Sequence, residues 1–361
     1  MILQDGSRNL IGNTVAINKR NYINGFDGSL TTLRAIFLSM KIPLLRVLSS
    51  ASNILVGGQA VIEGVMMRVP GAYATAVRDP QGDIQIKRKD FVAITERSPF
   101  WKKPILRGMA SLFEAMKIGM GTLQWSADIA IPLEEGEKEP GKISNFLTTV
   151  FSIALAILLF MIAPMWITTK LLMIEKEALM FNLVSGGFRI LFFVVYLGLI
   201  SLIKDVRRLF QYHGAEHRVV YNFESGKELT VKNAQSFPTQ HPRCGTSFLF
   251  IVLLSAILVF ALIDLIVIHF LGTISLPIRL LFHLPLIPFV SGIGYEVIKL
   301  TAKKNNLFFR ALKQPGLWLQ NITTREPEDE MVEVAITALK EAFGDEFDSV
   351  SGKKYVAEAI G

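Results

Sequence analysis

Residues 247–271 read SFLFIVLLSAILVFALIDLIVIHFL, and no other stretch of the chain constrains its architecture so strongly. The segment exceeds the roughly 20 apolar residues that a helix needs to cross the hydrocarbon core of a bilayer. Only Asp264 and His269 bring an ionisable side chain into it. Three further apolar stretches have comparable character, at about 146–168, 188–203 and 278–300. The pattern predicts an α-helical integral membrane protein with four transmembrane helices.

The composition of the whole chain agrees with a membrane protein. Hydrophobic residues make up 51% of the 361 residues and charged residues only 19%, which is too apolar for two soluble domains. The net charge of +7 comes largely from Lys and Arg beside the apolar stretches, so the lipid bilayer explains it and nucleic acid is not a predicted partner. A single cysteine excludes a disulfide framework and fits a site on the reducing, cytosolic side.

The placement of basic residues predicts the orientation in the membrane. They are concentrated in the loop between the second and third stretches and after the fourth: Lys204, Arg207, Arg208, Arg218, Lys227, Lys232, Arg243, Lys299, Lys303, Lys304, Arg310 and Lys313. The opposite loops are poorer in Lys and Arg. The positive-inside rule therefore predicts that both termini and the loop 204–246 face the cytosol. The first 29 residues contain no apolar run, so we expect no cleavable signal peptide.

Composition divides the chain into five regions. These are a flexible, partly amphipathic extension at 1–53, a small cytosolic α+β segment at 54–132, an acidic linker at 133–145, the four-helix membrane domain at 146–300 that includes the cytosolic loop 204–246, and an amphipathic cytosolic region at 301–361. Two of these regions contain recognisable elements. Alternating residues at 72–78 and 84–89 flank a turn and predict a hairpin. Apolar periodicity predicts helices at 104–130 and 328–343.

The helix 104–130 has one apolar stripe, made of Leu106, Met109, Leu112, Phe113, Met116, Met120 and Leu123. These residues supply the apolar face of the helix. We also expect the second apolar stretch to continue as one helix through Arg207 and Phe210 as far as His213.

The stretch YHGAEHR at 212–218 carries the most specific chemistry in the chain. His213 and His217 are four residues apart, so both imidazoles lie on one face of a helix with Glu216 beside them. The H-x-x-E-H spacing is that of the inverted zincins, which hold a metal ion next to a general base.

The segment HPRC at 241–244 contains a third histidine and the only cysteine, immediately before the third stretch. Neighbouring antiparallel helices would bring Cys244 close to His213 and His217. Imidazole and thiolate are typical zinc ligands, and three protein ligands leave one position open for water. We therefore predict zinc held by His213, His217 and Cys244, with His241 competing for any of these positions. Glu216 would act as general base on the activated water.

Other interpretations of this cluster remain open. A closed, structural zinc site fits the same residues as well as a catalytic one. Cys244 is also consistent with simple packing at the membrane edge, as is common for free cysteines. A third interpretation makes Cys244 a nucleophile, since Arg243 and the start of a helix would both lower the pKa of its thiol.

Several charged residues are further candidates. Glu296, near the cytosolic end of the fourth stretch, is a possible fourth ligand or a carboxylate that orients an imidazole. Glu63 and Arg68 would contact an anionic substrate or form an ion pair with each other. For the ionisable residues in the outer half of the membrane domain, Asp264, His269, Arg279 and His283, interfacial anchoring is the favoured interpretation over local pairing.

The chain resembles the YqhQ-like family of bacterial membrane proteins over about residues 55–343. The motifs that carry the resemblance are GGQAVIEGVMMR at 57–68, YHGAEHR at 212–218, HPRCGTSF at 241–248, GIGYE at 292–296 and PGLWLQNITTREP at 315–327. The family is labelled a predicted metal-dependent enzyme of unassigned function. The resemblance implies a bacterial cytoplasmic membrane protein with a site at His213, His217 and Cys244.

The residues and the resemblance together predict a zinc-dependent membrane enzyme, a hydrolase, whose site lies at the cytosolic membrane face. The alternative is a non-catalytic assembly or scaffold protein with a structural metal site. A transporter ranks third, because the visible charged residues lie near the ends of the apolar stretches rather than at their middle. Self-association as a homo-oligomer is left open, and no protein partner is predicted.

Overall fold

The computed structural model describes residues 54–132, 141–174, 177–303 and 307–355. The predicted extension at 1–53 and most of the linker at 133–145 lie outside these residues.

The chain first forms a four-stranded antiparallel sheet. Its strands are β1 (Gly57–Val61), β2 (Gly64–Val69), β3 (Ala72–Arg78) and β4 (Ile84–Asp90), and each pairs with the next in chain order. Gly71 and Gly82 supply the positive φ angles that two of the turns require, 85° and 94°. The predicted hairpin of β3 and β4 is confirmed.

Ten helices carry the rest of the described fold. They are α1 (Leu106–Ala130), α2 (Lys142–Ile157, continued to Leu171 through two π-helical turns), α3 (Ala178–Ile200), α4 (Lys204–Ser225), α5 (Val231–Gln235), α6 (Gly245–Leu271), α7 (Leu276–His283), α8 (Ile287–Lys303), α9 (Leu307–Thr323) and α10 (Asp329–Phe343). Shorter helical turns occur at Ile94–Arg97, Pro99–Lys102, Gly344–Glu346 and Phe347–Val350.

Three of these helices are long and apolar enough to cross a membrane: Phe146–Leu171, Ala178–Ile200 and Gly245–Leu271. The fourth predicted stretch is a pair of helices bent by 59°, Leu276–His283 and Ile287–Thr301, which makes four spans if the pair counts as one. The bend lies beside Pro285 and Pro288, which cannot donate backbone hydrogen bonds. These lengths and compositions support the predicted membrane protein.

The second stretch does not continue into His213 as expected. α3 ends at Ile200, a turn occupies residues 201–203, and α4 begins at Lys204 as a separate helix. Because α4 is a separate helix, it can run in a different direction from α3 and pack on the sheet.

The main hydrophobic core joins segments that are distant in sequence. Its buried residues come from the sheet (Val65, Met67, Ala74, Ala76), from α4 (Tyr212, Ala215, Val219, Phe223) and from α10 (Met331, Ala335, Leu339, Phe343). The α+β segment, the loop between the spans and the C-terminal region thus build one domain, in which α4 and α10 both pack on the sheet and on each other.

Much of the apolar stripe of α1 lies on the exposed side of the helix. Phe113, Met116, Met120 and Leu123 are exposed, whereas the buried face contains Gly108, Ala110, Glu114, Ile118, Gly119, Thr122 and Ser126. The small residues permit close backbone approach: a Cβ atom on Gly108 would lie 2.9 Å from Cα of Gly292 in α8. α1 is therefore positioned by backbone proximity and not by its large apolar side chains.

The ionisable residues of the candidate membrane helices also depart from the expectation. Asp264, Arg279 and His283 are fully buried, and both Arg279 and His283 pair with Asp264, at 3.0 and 2.8 Å. Interfacial anchoring is thus wrong for these three residues, and the alternative of local pairing is confirmed. His269, near the end of α6, is exposed.

Candidate metal centre

His213 and His217 lie side by side on α4, with ring centroids 4.4 Å apart. Nδ1–H of His213 donates to the carbonyl oxygen of Thr323 at 2.7 Å, and Nδ1–H of His217 donates to that of Thr239. A carbonyl oxygen accepts a hydrogen bond only from a protonated nitrogen, so Nδ1 carries the proton of each ring. The lone pair of each Nε2 atom is then available to a metal ion. Backbone carbonyls that orient histidines in this way are typical of metal sites.

Cys244 reaches the same place from a different element. It is the N-cap residue of α6, and its Sγ atom lies 3.1 Å from Nε2 of His213. The ligand atoms of His213, His217 and Cys244 all lie within 4.8 Å of one another. The expected convergence of α4 with the start of α6 is therefore present in the fold.

The hydrogen bonding and burial of the candidate donor atoms decide whether they fit zinc. His217 is only 1% exposed, and its Nε2 atom forms no hydrogen bond within the described part of the chain. An unsatisfied buried nitrogen is costly, and a metal ion would satisfy it. Two imidazoles and one thiolate are a common zinc donor set, so the residues fit the ion.

Glu216 stands next to the two histidines. Its Oε2 atom lies 3.9 Å from Nε2 of His213 and 3.8 Å from Nε2 of His217. Burial raises the pKa of the Glu216 carboxyl above its usual value, while His213 and a hydrogen bond from the backbone N–H of Gly58 act in the opposite direction. The carboxylate is thus positioned beside the ligand atoms by the first strand of the sheet.

A cavity of about 150 Å³ opens in front of these groups. Its walls combine backbone of β1, apolar side chains and the ligand residues: Val56, Gly57, Gly58, His213, Glu216, His217, Val220, His241, Arg243, Cys244 and Gly245. The three candidate ligands and Glu216 therefore face a space that can hold water and a small chemical group.

Small residues between the two histidines explain why α4 can lie so deep. A Cβ atom on Gly214 would overlap the carbonyl oxygen of Arg325, and Ala215 is fully buried in the core. The same tight packing brings Thr323, the last residue of α9, against the histidine face.

His241 lies next to the ligand group without being part of it. Its ring centroid is 5.6 Å from that of His217 and 4.5 Å from that of Tyr221, and its Nε2 atom lies 3.9 Å from the carboxylate of Glu224. Burial lowers the pKa of His241 to about 4, although the nearby carboxylate of Glu224 acts in the opposite direction. The structure thus assigns His241 to a contact with Glu224, and the predicted competition for a ligand position is not what this geometry provides.

Arg243, which the nucleophile interpretation pairs with the thiol, is engaged in an ion pair. Its guanidinium donates to the carboxylate of Glu224. Because this ion pair neutralises the charge of Arg243 nearby, activation of Cys244 by Arg243 finds no support in the structure.

The remaining predicted site residues lie in separate ion pairs. Both carboxylate oxygens of Glu296 accept hydrogen bonds from Arg107 at the start of α1, so Glu296 is neither a ligand nor a partner of an imidazole here. Glu63 binds Arg208 and Tyr212 of α4. The predicted pair between Glu63 and Arg68 is therefore wrong.

Arg68 has other neighbours. Its guanidinium lies 4.4 Å from the ring centroid of Phe91 and 4.0 Å from the carboxylate of Glu114. This arrangement ties β2 to α1, so it has a structural explanation without an anionic substrate.

Sequence reasoning missed the groups that orient the ligands. The carbonyl oxygens of Thr239 and Thr323 belong to the backbone, and no residue type announces them. Gly58 was noted within its glycine-rich motif but not assigned to the site. Its role becomes visible only when β1 is placed against α4.

Comparison with known proteins identifies the family of the chain. Residues 103–345 match the family described as Protein of unknown function (DUF1385). The chain belongs to the DUF1385 family. It is 32% identical over 303 residues to the uncharacterized protein YqhQ of Bacillus subtilis (strain 168), an alignment that covers 79% of this chain and 91% of that protein. No solved structure matches the chain significantly. The resemblance to YqhQ-like proteins is thus confirmed, and all three candidate ligands lie inside the DUF1385 match.

Proposed function

We propose that this protein is a zinc-dependent hydrolase that works where the cytosol meets the bacterial cytoplasmic membrane. One observation carries the proposal. Three ligand atoms converge within 4.8 Å at the wall of a cavity, beside the carboxylate of Glu216 that is not one of the three. Three protein ligands with an accessible cavity are the arrangement of catalytic zinc sites, which keep one position open.

Each residue of the centre has a role that follows from its position. His213, His217 and Cys244 would hold a zinc ion, which would supply Lewis-acid chemistry at the site. Glu216 would serve as the general base and acid of the hydrolysis, since its carboxylate lies beside both Nε2 atoms. The carbonyls of Thr239 and Thr323 keep the imidazoles in the tautomer that presents Nε2 to the ion.

The location follows from the helix that carries Cys244. This residue caps α6, a candidate membrane span, so the site lies at the end of that span. The basic residues around it favour the cytosolic end. Substrates that lie at the lipid–water boundary would reach the cavity without leaving the membrane surface.

Metal analysis of the purified full-length protein tests the first half of the proposal. We expect one zinc per chain, and loss of zinc in His213→Ala, His217→Ala and Cys244→Ala. His241→Ala is the matched control, because His241 lies beside the group but faces Glu224, and it should retain the metal. Unchanged zinc content in all three ligand variants would overturn the site.

Hydrolysis tests the second half. The purified protein is assayed with a fluorogenic peptide, a p-nitrophenyl ester and bis-p-nitrophenyl phosphate, with and without a chelator. Glu216→Gln should keep zinc and fold but lose activity by about 10²–10⁴-fold, the range for a general base. If removal of zinc unfolds the protein and the wild type hydrolyses none of these substrates faster than Glu216→Gln does, the metal is structural and the alternative of a non-catalytic assembly protein is favoured.

A further inference from the structure

A second cluster of ionisable residues lies among the candidate membrane spans, apart from the metal centre. Asp264 of α6 is fully buried, and among the described residues it is the only carboxylate of this cluster. Its oxygens are already engaged three times: by the amide of Asn182 at 2.7 Å, by Arg279 at 3.0 Å and by His283 at 2.8 Å. Arg279 also lies 3.3 Å from the ring centroid of Phe181. These contacts satisfy Asp264 and neutralise one arginine.

A second arginine in the same cluster forms no ion pair of its own with a described residue. Arg189 lies half-way along α3 and is only 6% exposed. Its guanidinium lies over the ring of Phe260 at 5.4 Å, and that ring also stacks on His283 at 4.1 Å. Its position also alters the case against transport, since a charged side chain is present at the middle of a span.

Two atoms of Arg189 have no partner. Nε and Nη2 are buried and form no hydrogen bond with any described residue. These two atoms are on the same edge of the guanidinium, and this edge donates two parallel hydrogen bonds to the oxygens of a carboxylate or phosphate. Ser185, one helical turn earlier on the same buried face, likewise has an unpartnered hydroxyl. The free donors therefore have the pattern of an oxyanion receptor.

The charges point to the same conclusion. Arg189 and Arg279 are both permanently cationic, whereas Asp264 supplies a single negative charge. An uncompensated cation among apolar helices is costly, and such residues usually mark a functional site. One further negative charge would balance the cluster.

We propose that the fork of Arg189, together with the hydroxyl of Ser185, binds a monoanionic oxyanion between α3, α6 and α7. The phosphodiester group of a phospholipid and a free phosphate ion share this chemistry. The site is independent of the metal centre and of the hydrolase function. It gives the membrane domain a ligand of its own.

Thermal unfolding of the full-length protein in an uncharged detergent tests the proposal. Tryptophan fluorescence reports the Tm in the presence of dihexanoylphosphatidylglycerol, of inorganic phosphate, or of chloride at equal ionic strength. We expect the phospholipid or phosphate to raise the Tm by about 2 °C or more relative to chloride. A rise with the phospholipid alone identifies a lipid headgroup, and a rise with both identifies a site open to free phosphate.

Variants assign the shift to Arg189. Arg189→Gln should abolish it. Arg189→Lys, which keeps the charge but lacks the fork, should retain less than half of it and serves if the glutamine variant does not fold. Arg207→Gln removes an exposed arginine of α4 and should leave the shift unchanged. The proposal is overturned if neither probe shifts the wild type, or if Arg189→Lys shows the full wild-type shift.

Discussion

Nε2 of His213 lies 3.1 Å from Sγ of Cys244, although 31 residues separate them in the chain. His213 belongs to a helix packed in the core of the sheet domain, and Cys244 caps a candidate membrane span. A metal bound between them would join the two parts of the molecule directly. The proposed metal centre and this link between the two parts would therefore depend on the same three ligand atoms.

Cobalt substitution should reveal the thiolate in this contact. Replacing zinc by Co²⁺ in the purified protein should give a sulfur-to-cobalt charge-transfer band in the near ultraviolet, because Cys244 is the only cysteine. Cys244→Ser should lose the band, since a hydroxyl is a poor ligand for this metal. Absorption spectroscopy measures the change.

The matched control for this experiment is His241→Ala. It removes an imidazole from the same cavity but not from the ligand group, so the band should persist. A cobalt spectrum that is identical in Cys244→Ser and the wild type would contradict coordination by the thiol.

Two adjacent glycines provide a test of how β1 supports Glu216. A Cβ atom on Gly58 would lie 2.9 Å from Cγ of Glu216 and 3.0 Å from Sδ of Met67, and it would overlap the carbonyl oxygen of Met66. The backbone oxygen cannot yield easily, so Gly58→Ala should lower the free energy of unfolding by about 1–3 kcal/mol. It should also reduce hydrolysis by displacing Glu216, while zinc is retained.

Gly57→Ala is the control for Gly58→Ala, since nothing lies within 4 Å of a Cβ atom at Gly57. Its free energy of unfolding should stay within about 0.5 kcal/mol of the wild type. Denaturation and metal analysis of both variants check the pair. Equal behaviour of the two alanine variants would show that Gly58 does not determine the position of Glu216.

The convergence of the three candidate ligands could be predicted because helical geometry links sequence to space over short distances. Residues four apart on a helix share a face, which placed His213 and His217 together before any coordinates. Cys244 followed from the rule that consecutive elements tend to be neighbours. Glu296 failed because Arg107, from the sequence-distant α1, occupies its carboxylate.

Packing partners explain the other failures. The stripe of large apolar residues on α1 could not show which side of the helix packs against the rest of the protein. Glycines such as Gly108, on the other side, allow a neighbouring helix to approach more closely. Asp264 and Arg279 looked like separate anchors because nothing in the local sequence shows that α6 and α7 turn these side chains towards each other. Arg189 was overlooked as a single charge in a long apolar run.

The ion pair between Glu63 and Arg208 should stabilise the contact of the sheet with α4. Nη2 of Arg208 donates to Glu63 at 2.7 Å and the hydroxyl of Tyr212 donates at 3.2 Å, but the pair is partly exposed. We expect Glu63→Gln and Arg208→Gln each to lower the free energy of unfolding by about 1–2 kcal/mol.

The double variant separates this interaction from unrelated effects. Because both single changes remove one shared contact, the loss in Glu63→Gln/Arg208→Gln should be smaller than the sum of the single losses. Chemical denaturation of all four proteins measures the coupling. Strict additivity would mean that the ion pair contributes nothing.

The membrane orientation predicts opposite labelling of two engineered cysteines. Lys227 follows α4 and Thr273 follows α6, and both side chains are exposed in the fold. The positive-inside rule places Lys227 in the cytosol and Thr273 outside.

In intact cells, an impermeant maleimide should therefore label Thr273→Cys but not Lys227→Cys, and both should react after the membrane is permeabilised. The wild type is the blank, because its single cysteine is buried. Labelling of Lys227→Cys in intact cells would reverse the orientation and move the metal centre to the outer face, where a cytosolic substrate could not reach it.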